Sequence, residues 1–329
     1  MTPPKPERLS TLDMVEAFHL GHAVSTLHEL NIFESLKQQL SVEALAGKHR
    51  LDPDWLRTVL DYVAARTDLL RKTGKRFVVS RQYSNSSRFL LDLYTGGYGS
   101  NATQLAKLMR NPALAPATVD RDRHARAFES AEGAGLGRVP EVIKQLQFNH
   151  VLDIGCGSAA LLLHLAEQDP EFTGWGLELN PSMCKAARKN IRSAQVGKRI
   201  KILQGDSRHL GTDLPLDVRS KVQAVTACQV VNEMFGKGIS QAVAWLRGLR
   251  KRLPNKPLLI CDYYGRLGSK IKCHHRETLL HDYAQMISGQ GIPPANFAQW
   301  RTLYNEAGCR LVHVIEDKTT TRFIHILVL

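Results

Sequence analysis

The sequence predicts an α/β protein: an open, mostly parallel sheet whose last strand is antiparallel, preceded by a smaller helical domain. Three observations predict it. From Val139 onward, short apolar runs alternate with helical stretches, as in a parallel sheet covered by helices on both faces. The run Val151-Leu152-Asp153-Ile154 passes into Gly155-Cys156-Gly157-Ser158-Ala159-Ala160 and then into the apolar Leu161 to Ala166. That is a buried strand, a glycine turn and a helix N-terminus with unpaired N–H groups. Upstream, the first 88 residues carry helical spacing and one hairpin, without this alternation.

In chain order, residues 1–8 are polar, Pro-rich and without an apolar signal core, and read as a frayed tail. Leu12, Val15, Phe18, Leu20, Val24, Leu27 and Leu30 recur at helical spacing through residues 11–40. Ser41 is placed to N-cap a short helix that Gly47 would stop. Asp52-Pro53 opens the next, with Leu56, Val59, Leu60, Val63 and Ala64 as its inner stripe. Leu69 to Arg71 and Arg76 to Ser80 flank a Lys72-Thr73-Gly74-Lys75 turn as a hairpin. Helix, helix, helix, hairpin is a winged-helix order.

Residues 89–136 are less periodic. They hold a glycine-aromatic run (Leu91 to Gly99), a helix from Gln104 to Met109, an arginine-rich stretch from Arg121 to Phe128 and a hinge at Glu132-Gly133-Ala134-Gly135. The expected domains are therefore 1–88, 89–136 and 137–329. In the last, strands are expected at 150–154, 173–178, 200–204, 222–227 and 257–263. Asn180-Pro181 caps one helix and another spans 239–252. Phe297 to Ala307 forms a helix that Gly308 stops; strands at 310–316 and 322–329 follow as an antiparallel pair.

The 329 residues are 43% hydrophobic and 7% aromatic, enough for one large domain and a smaller one. No uncharged apolar stretch reaches the roughly 18 residues that a membrane helix needs. The six cysteines (156, 184, 228, 261, 273 and 309) form no C-x-x-C pair and read as reduced residues of a cytoplasmic protein. A net charge of +13, from 44 Lys+Arg against 31 Asp+Glu, favours anionic partners, but its basic runs at 71–76, 185–201 and 247–252 fall on turns and outward helix faces and read first as solvated surface.

Acids follow each of the first three expected strands. Asp153 precedes Gly155 by two positions, Glu178 ends the next strand about 20 residues on, and Asp206 closes the third. An acid at the place of Glu178 can take both hydroxyls of a ribose. The trio resembles class I S-adenosylmethionine-dependent methyltransferases, whose acidic-x-Gly-x-Gly-x-Gly motif reads here Asp153, Gly155, Gly157, with Ala159 for the third glycine. The N-terminal order resembles the dimerisation domain of small-molecule O-methyltransferases. The resemblance implies a seven-stranded Rossmann-like methyltransferase sheet, S-adenosylmethionine as cofactor and a small-molecule substrate. It also implies a homodimer through the N-terminal domain and neither membrane nor nucleic acid as partner. Cofactor contacts would come from Asp153, Gly155, Gly157, Glu178, Leu179, Asp206, Ser207, Cys228 and Gln229.

Where the plant-type enzymes carry a His-Asp pair, this chain has Asn232-Glu233. Glu233 could serve as base, the pair could bind substrate, or the two could cap the following helix. A second wall is expected from 264–294, with Tyr264, His274-His275, His281 and Asp282. Tyr264 and His281 join Asn232 and Glu233 as catalytic candidates, and Asp282 is a substrate candidate. This stretch resembles bacterial 2-oxo acid C-methyltransferases, some of which bind a metal through histidines. Asn232 stands where such a histidine is expected, so no metal is assigned. Tyr98 and Arg126 are the remaining substrate candidates, arginine because its fork grips a carboxylate.

These residues read as a methyltransferase of bacterial specialised metabolism acting on a small anionic metabolite, 2-oxo or amino acid-like. Three rivals stay open: an azetidine-forming enzyme that cyclises the aminobutyrate arm of S-adenosylmethionine and releases methylthioadenosine, a nucleic-acid methyltransferase, and a non-catalytic winged-helix regulator.

Overall fold

A computed structural model describes residues 9–130, 137–210, 214–271, 275–317 and 320–329. The expected tail, the hinge at 132–135 and His274 lie outside the described residues. The first helix, Thr11–Glu29, starts in a capping box between Ser10 and Asp13. Its C-terminal half buries Val24 and Leu27, but Leu12, Val15 and Phe18 are 75%, 51% and 55% exposed. The helical spacing therefore runs further than this domain covers. Ile32, Phe33, Leu45, Leu60, Val63, Leu70 and Phe77 close the domain core. Ser41 caps the helix Val42–His49 as expected, but Gly47 does not stop it. The stop is Arg50, in the left-handed region, whose N–H reaches back to the carbonyls of Ala46 and Gly47. A side chain at Gly47 would meet nothing, so glycine there signals no turn. The hairpin pairs β1 (Leu70–Thr73) with β2 (Arg76–Val79).

The helix Asn85–Leu90 continues into a π-helical turn, Leu91–Gly97, where the sequence showed only glycine and aromatics. Such turns widen a helix at functional places. This segment and the helix Arg121–Ser130 join the two ends of the molecule. Asp92 takes His28 Nε2 at 2.9 Å, and Arg123 reaches Glu29 at 3.0 Å and Ser25 at 3.1 Å. On the other side Asn101 donates to the Ile287 carbonyl at 3.0 Å, and Ser182 donates to Asp122 at 2.6 Å.

The large domain is a seven-stranded sheet in the order β5-β4-β3-β6-β7-β9-β8. Its strands are β3 (His150–Ile154), β4 (Thr173–Glu178), β5 (Ile200–Gln204), β6 (Ala224–Cys228), β7 (Pro257–Tyr263), β8 (Arg310–Glu316) and β9 (Arg322–Val328). All neighbours pair in parallel except at β9, which inserts antiparallel between β7 and β8. Val151, Leu152 and Ile154 are at most 1% exposed, each burial contributing about 1.5–3 kcal/mol. Both faces of β3 are covered, which explains its mostly apolar reading. The chain crosses from one side of β3 to the other between β5 and β6. The carboxyl ends of β3 and β6 thus form the crevice where open α/β sheets bind ligands.

Candidate functional site

The crevice begins with the loop after β3. Asp153 is buried, accepts a hydrogen bond from Thr226 Oγ1 at 2.6 Å, and is pushed by burial up to about 7. Gly155 has φ +65° and donates to the Leu177 carbonyl at 2.8 Å. A Cβ there would lie 2.5 Å from Val230 Cγ2, so a side chain is excluded by packing as well as by φ. Ala159, at the third glycine position, adopts φ +68°, a conformation that costs an alanine about 1–2 kcal/mol. Its methyl is fully buried. Glu178 staples this loop to the end of β4: Oε2 accepts the Gly157 N–H at 3.0 Å and Oε1 the Asn180 N–H at 2.8 Å. An ionised carboxylate has about four acceptor positions, so each oxygen retains capacity for a ligand hydroxyl. Leu179, just beyond, is 57% exposed.

After β5, Asp206 N-caps the turn Ser207–His209 and is clasped by Arg208, whose Nη2 lies 2.6 Å from Oδ2. That guanidinium holds the Asp206 carboxyl below its usual range. Ser207 Oγ accepts from Trp245 Nε1 at 2.9 Å. A cavity of about 590 Å3 opens beside them, lined by Ser207, Arg208, Met234, Gln241 and Trp245 among others.

The β6 end supplies the second acidic centre. Cys228 ends the strand, and Gln229 leaves it with φ +55° and its N–H on the Cys261 carbonyl at 2.8 Å. The turn Val231–Phe235 then brings Asn232 and Glu233 to the crevice. Asp262, fully buried, accepts the Asn232 N–H and the Tyr263 N–H, each at 2.9 Å. Burial nevertheless pushes Asp262 up to about 7. Asn232 is 2% exposed, and its Oδ1 has no partner among the described residues. Glu233 is half-buried, and desolvation pushes its carboxyl up to about 7. Arg121 pulls against that shift, and the Glu178 charge adds to it.

A wall of neutral polar rings stands over this centre. Tyr98 Oη donates to Gln290 Oε1 at 3.2 Å and lies 3.2 Å from His124 Nε2. His281 Nδ1 lies 3.2 Å from Tyr94 Oη and its Nε2 3.2 Å from Gln285. Burial drops His124 to about 3 and His281 to about 4, so both imidazoles are neutral near pH 7. The structure thus groups Asp153, Gly155, Gly157, Glu178, Asn232, Glu233 and Tyr98 around one crevice, with His281 in its wall.

Three expected site residues stand elsewhere. Tyr264 packs on the β8–β9 side, its hydroxyl held by Glu316 and, at 3.2 Å, by His325. Its ring lies 4.7 Å from that of Phe323. It follows the end of β7 and turns to the face covered by the helix Phe297–Ala307. Arg126 is 51% exposed and faces Asp92 at 3.7 Å. On the helix Arg121–Ser130 it sits roughly 200° around the axis from His124. Asp282 is fully buried. Its Oδ1 accepts from Tyr263 Oη at 3.0 Å, and its Oδ2 from the N–H groups of Arg266 and Leu267 at 2.7 and 2.9 Å. It braces the loop after β7, with both carboxylate oxygens engaged there. Conversely, Arg121, His124, Tyr94 and Gln290 were not singled out. Arg121 and His124 are three apart on one helix face, and glycines flank Gln290, which were the signals available.

Residues 151–251 match the family described as a methyltransferase domain. Among curated proteins, the carboxy-S-adenosyl-L-methionine synthase of Chromohalobacter salexigens is 38% identical over 78 residues, 23% of this chain. That match spans only 28% of the relative's own length. Solved structures are similar along almost the whole chain. The mitomycin 7-O-methyltransferase has a TM-score of 0.75 at 18% identity, covering 96% of each chain. An O-methyltransferase family protein from Burkholderia thailandensis gives 0.67 at 15%, covering 98% of each. The O-methyltransferase of neocarzinostatin biosynthesis, solved with S-adenosylmethionine and 2-hydroxy-5-methyl naphthoic acid, gives 0.69 at 15%. It covers 98% of this chain and 100% of its own. At such identities the likeness is one of fold.

Proposed function

We propose that this chain, whose residues 151–251 match a methyltransferase domain and whose fold is that of O-methyltransferases, moves the methyl group of S-adenosylmethionine to a small anionic metabolite. One observation carries the reading. Two acids with opposite tasks meet at the same crevice: Glu178, stapled to the glycine loop, and Glu233, half-buried and titrating near neutrality.

The residues present fit the cofactor. Glu178 has acceptor capacity for ribose hydroxyls, Ser207 and Leu179 border the open adenine side, and Gly155–Gly157 admits a ligand close to the backbone. Asp153 and Cys228 would border its methionine end. When bound, S-adenosylmethionine supplies a carbon activated by its sulfonium. Everything else is alignment and one proton. Asp262 fixes the Asn232 backbone, which aims Glu233. Glu233 then takes the proton of an acceptor hydroxyl, since a base titrating near the working pH is an efficient one. Neutral His124 and His281, with Tyr94 and Tyr98, offer hydrogen bonds to the acceptor without competing for its proton. Arg121, exposed and beside Glu233, is the group suited to a substrate carboxylate. A homodimer through the exposed face of the first helix, and the domain limits 1–88, 89–136 and 137–329, belong to the same proposal.

Product identification tests it. The protein is incubated with S-adenosylmethionine alone, then with 2-oxo acids, amino acids and hydroxylated aromatic acids, and products are read by mass. S-Adenosylhomocysteine in step with a methylated acid is expected. Methylthioadenosine formed without any acceptor would replace methyl transfer by intramolecular cyclisation.

A further inference from the structure

Cys228, the last residue of β6, faces Cys261 of β7. Cys228 and Cys261 are register partners on adjacent parallel strands, so both side chains leave the same face of the sheet. The Gln229 N–H on the Cys261 carbonyl at 2.8 Å holds the two backbones side by side beyond the pair. Adjacent strands run about 4.7–4.9 Å apart, within the roughly 4.4–6.8 Å Cα separation of disulfides. Cys261 is 6% exposed, whereas Cys228 is half-buried and opens toward the crevice, on the same sheet face as Asp153 and Thr226. Neither sulfur has a task in the methyl-transfer step.

We propose that Cys228 and Cys261 are an oxidisable dithiol in the floor of the crevice, closed to a disulfide by a peroxide. The Cys228 sulfur attacks one peroxide oxygen as its proton passes to the departing oxygen, the O–O bond breaks, and water or an alcohol leaves. The Cys261 thiolate then attacks the sulfenic sulfur, forming the S–S bond and releasing a second water. Two thiols lose two electrons and two protons, and the peroxide is reduced by the same two electrons. Cys228 is the accessible partner and Cys261 the resolving one. That a bound nucleoside shields Cys228 rests on the functional reading above; the disulfide itself does not.

The full chain, cofactor-free, is treated with hydrogen peroxide, alkylated and mapped by mass. The expected product has lost two hydrogens, about 2 Da, in a Cys228–Cys261 cross-linked peptide that dithiothreitol reverses. In Cys261→Ser the cross-link is absent and dimedone traps a sulfenic acid on Cys228. No cross-link in the unsubstituted chain, or one joining other cysteines, would overturn the proposal whether or not the variant folds. Saturating S-adenosylmethionine is expected to slow oxidation at least tenfold. Cross-linking at an unchanged rate in protein shown by calorimetry to bind the nucleoside would remove Cys228 from the crevice. Absence of nucleoside binding would instead count against the functional reading.

Discussion

Glu233→Gln separates the proposed base from a structural acid, because its effects on rate and on stability have opposite signs. The fold raises the Glu233 carboxyl from 4.5 to about 7. A shift of that size corresponds to about 3 kcal/mol of preference for the neutral form. The sign follows from linkage. A carboxyl raised on folding contributes stability that is fully present below its unfolded value near 4.5 and is lost as pH rises through 7. Glutamine stays neutral, so the variant gains on the parent between pH 4.5 and 7 and is up to about 3 kcal/mol more stable at pH 8. Denaturant titrations at pH 4.5 and 8 measure the gap. Asp153 is raised in both proteins and cancels in the comparison, whereas Asp262, which the Glu233 charge helps to raise, is relieved in the variant and adds to its gain at high pH. Activity runs the other way. The ionised fraction of Glu233 grows roughly tenfold from pH 6 to 8, and kcat/KM should follow it. Glutamine should abolish that rise and lower the rate by about 10²–10⁴. A variant as active as the parent, or one less stable than it at pH 8, would refute the role.

Glu178→Ala should weaken S-adenosylmethionine binding by at least about 1.5–3 kcal/mol in calorimetry, since the loss includes charge-assisted acceptor bonds. Unchanged affinity would remove the ribose assignment. Asp282→Ala removes a fully buried acceptor and leaves three donors unpaired, Tyr263 Oη buried and the Arg266 and Leu267 N–H groups part-buried. It should cost about 3 kcal/mol or more in thermal or denaturant unfolding, with no separate effect on KM for the acceptor once folded. Arg121→Ala should raise KM for an anionic acceptor at least tenfold, while Arg126→Ala leaves it unchanged. The reverse pattern would restore Arg126 as the anion contact.

The large domain was legible because its signals are local. β3 is mostly apolar since both its faces are covered, with Asp153 as its one buried acid, and Gly155 and Glu178 are tied to it by a tight turn and the neighbouring strand end. The antiparallel β9 showed as a short turn between two apolar runs. What failed was three-dimensional. Tyr264, Arg126 and Asp282 carry suitable chemistry within the right segments. Which side a residue takes after a strand, or around a helix, depends on packing against elements far along the chain. Gly47 is no stop signal because an arginine, Arg50, takes the left-handed position that ends that helix. The wall of Tyr94, Tyr98, His124, His281 and Gln290 draws on three separate stretches, and no spacing rule links them.

Soaking or co-crystallising the protein with S-adenosylhomocysteine puts the central assignment to the most direct test. The account predicts ribose hydroxyls within hydrogen-bond distance of Glu178, adenine beside Ser207, and the sulfur pointing toward Glu233. A crystal with that crevice vacant at saturating ligand, or with a dinucleotide bound across Gly155–Gly157 instead, would contradict it.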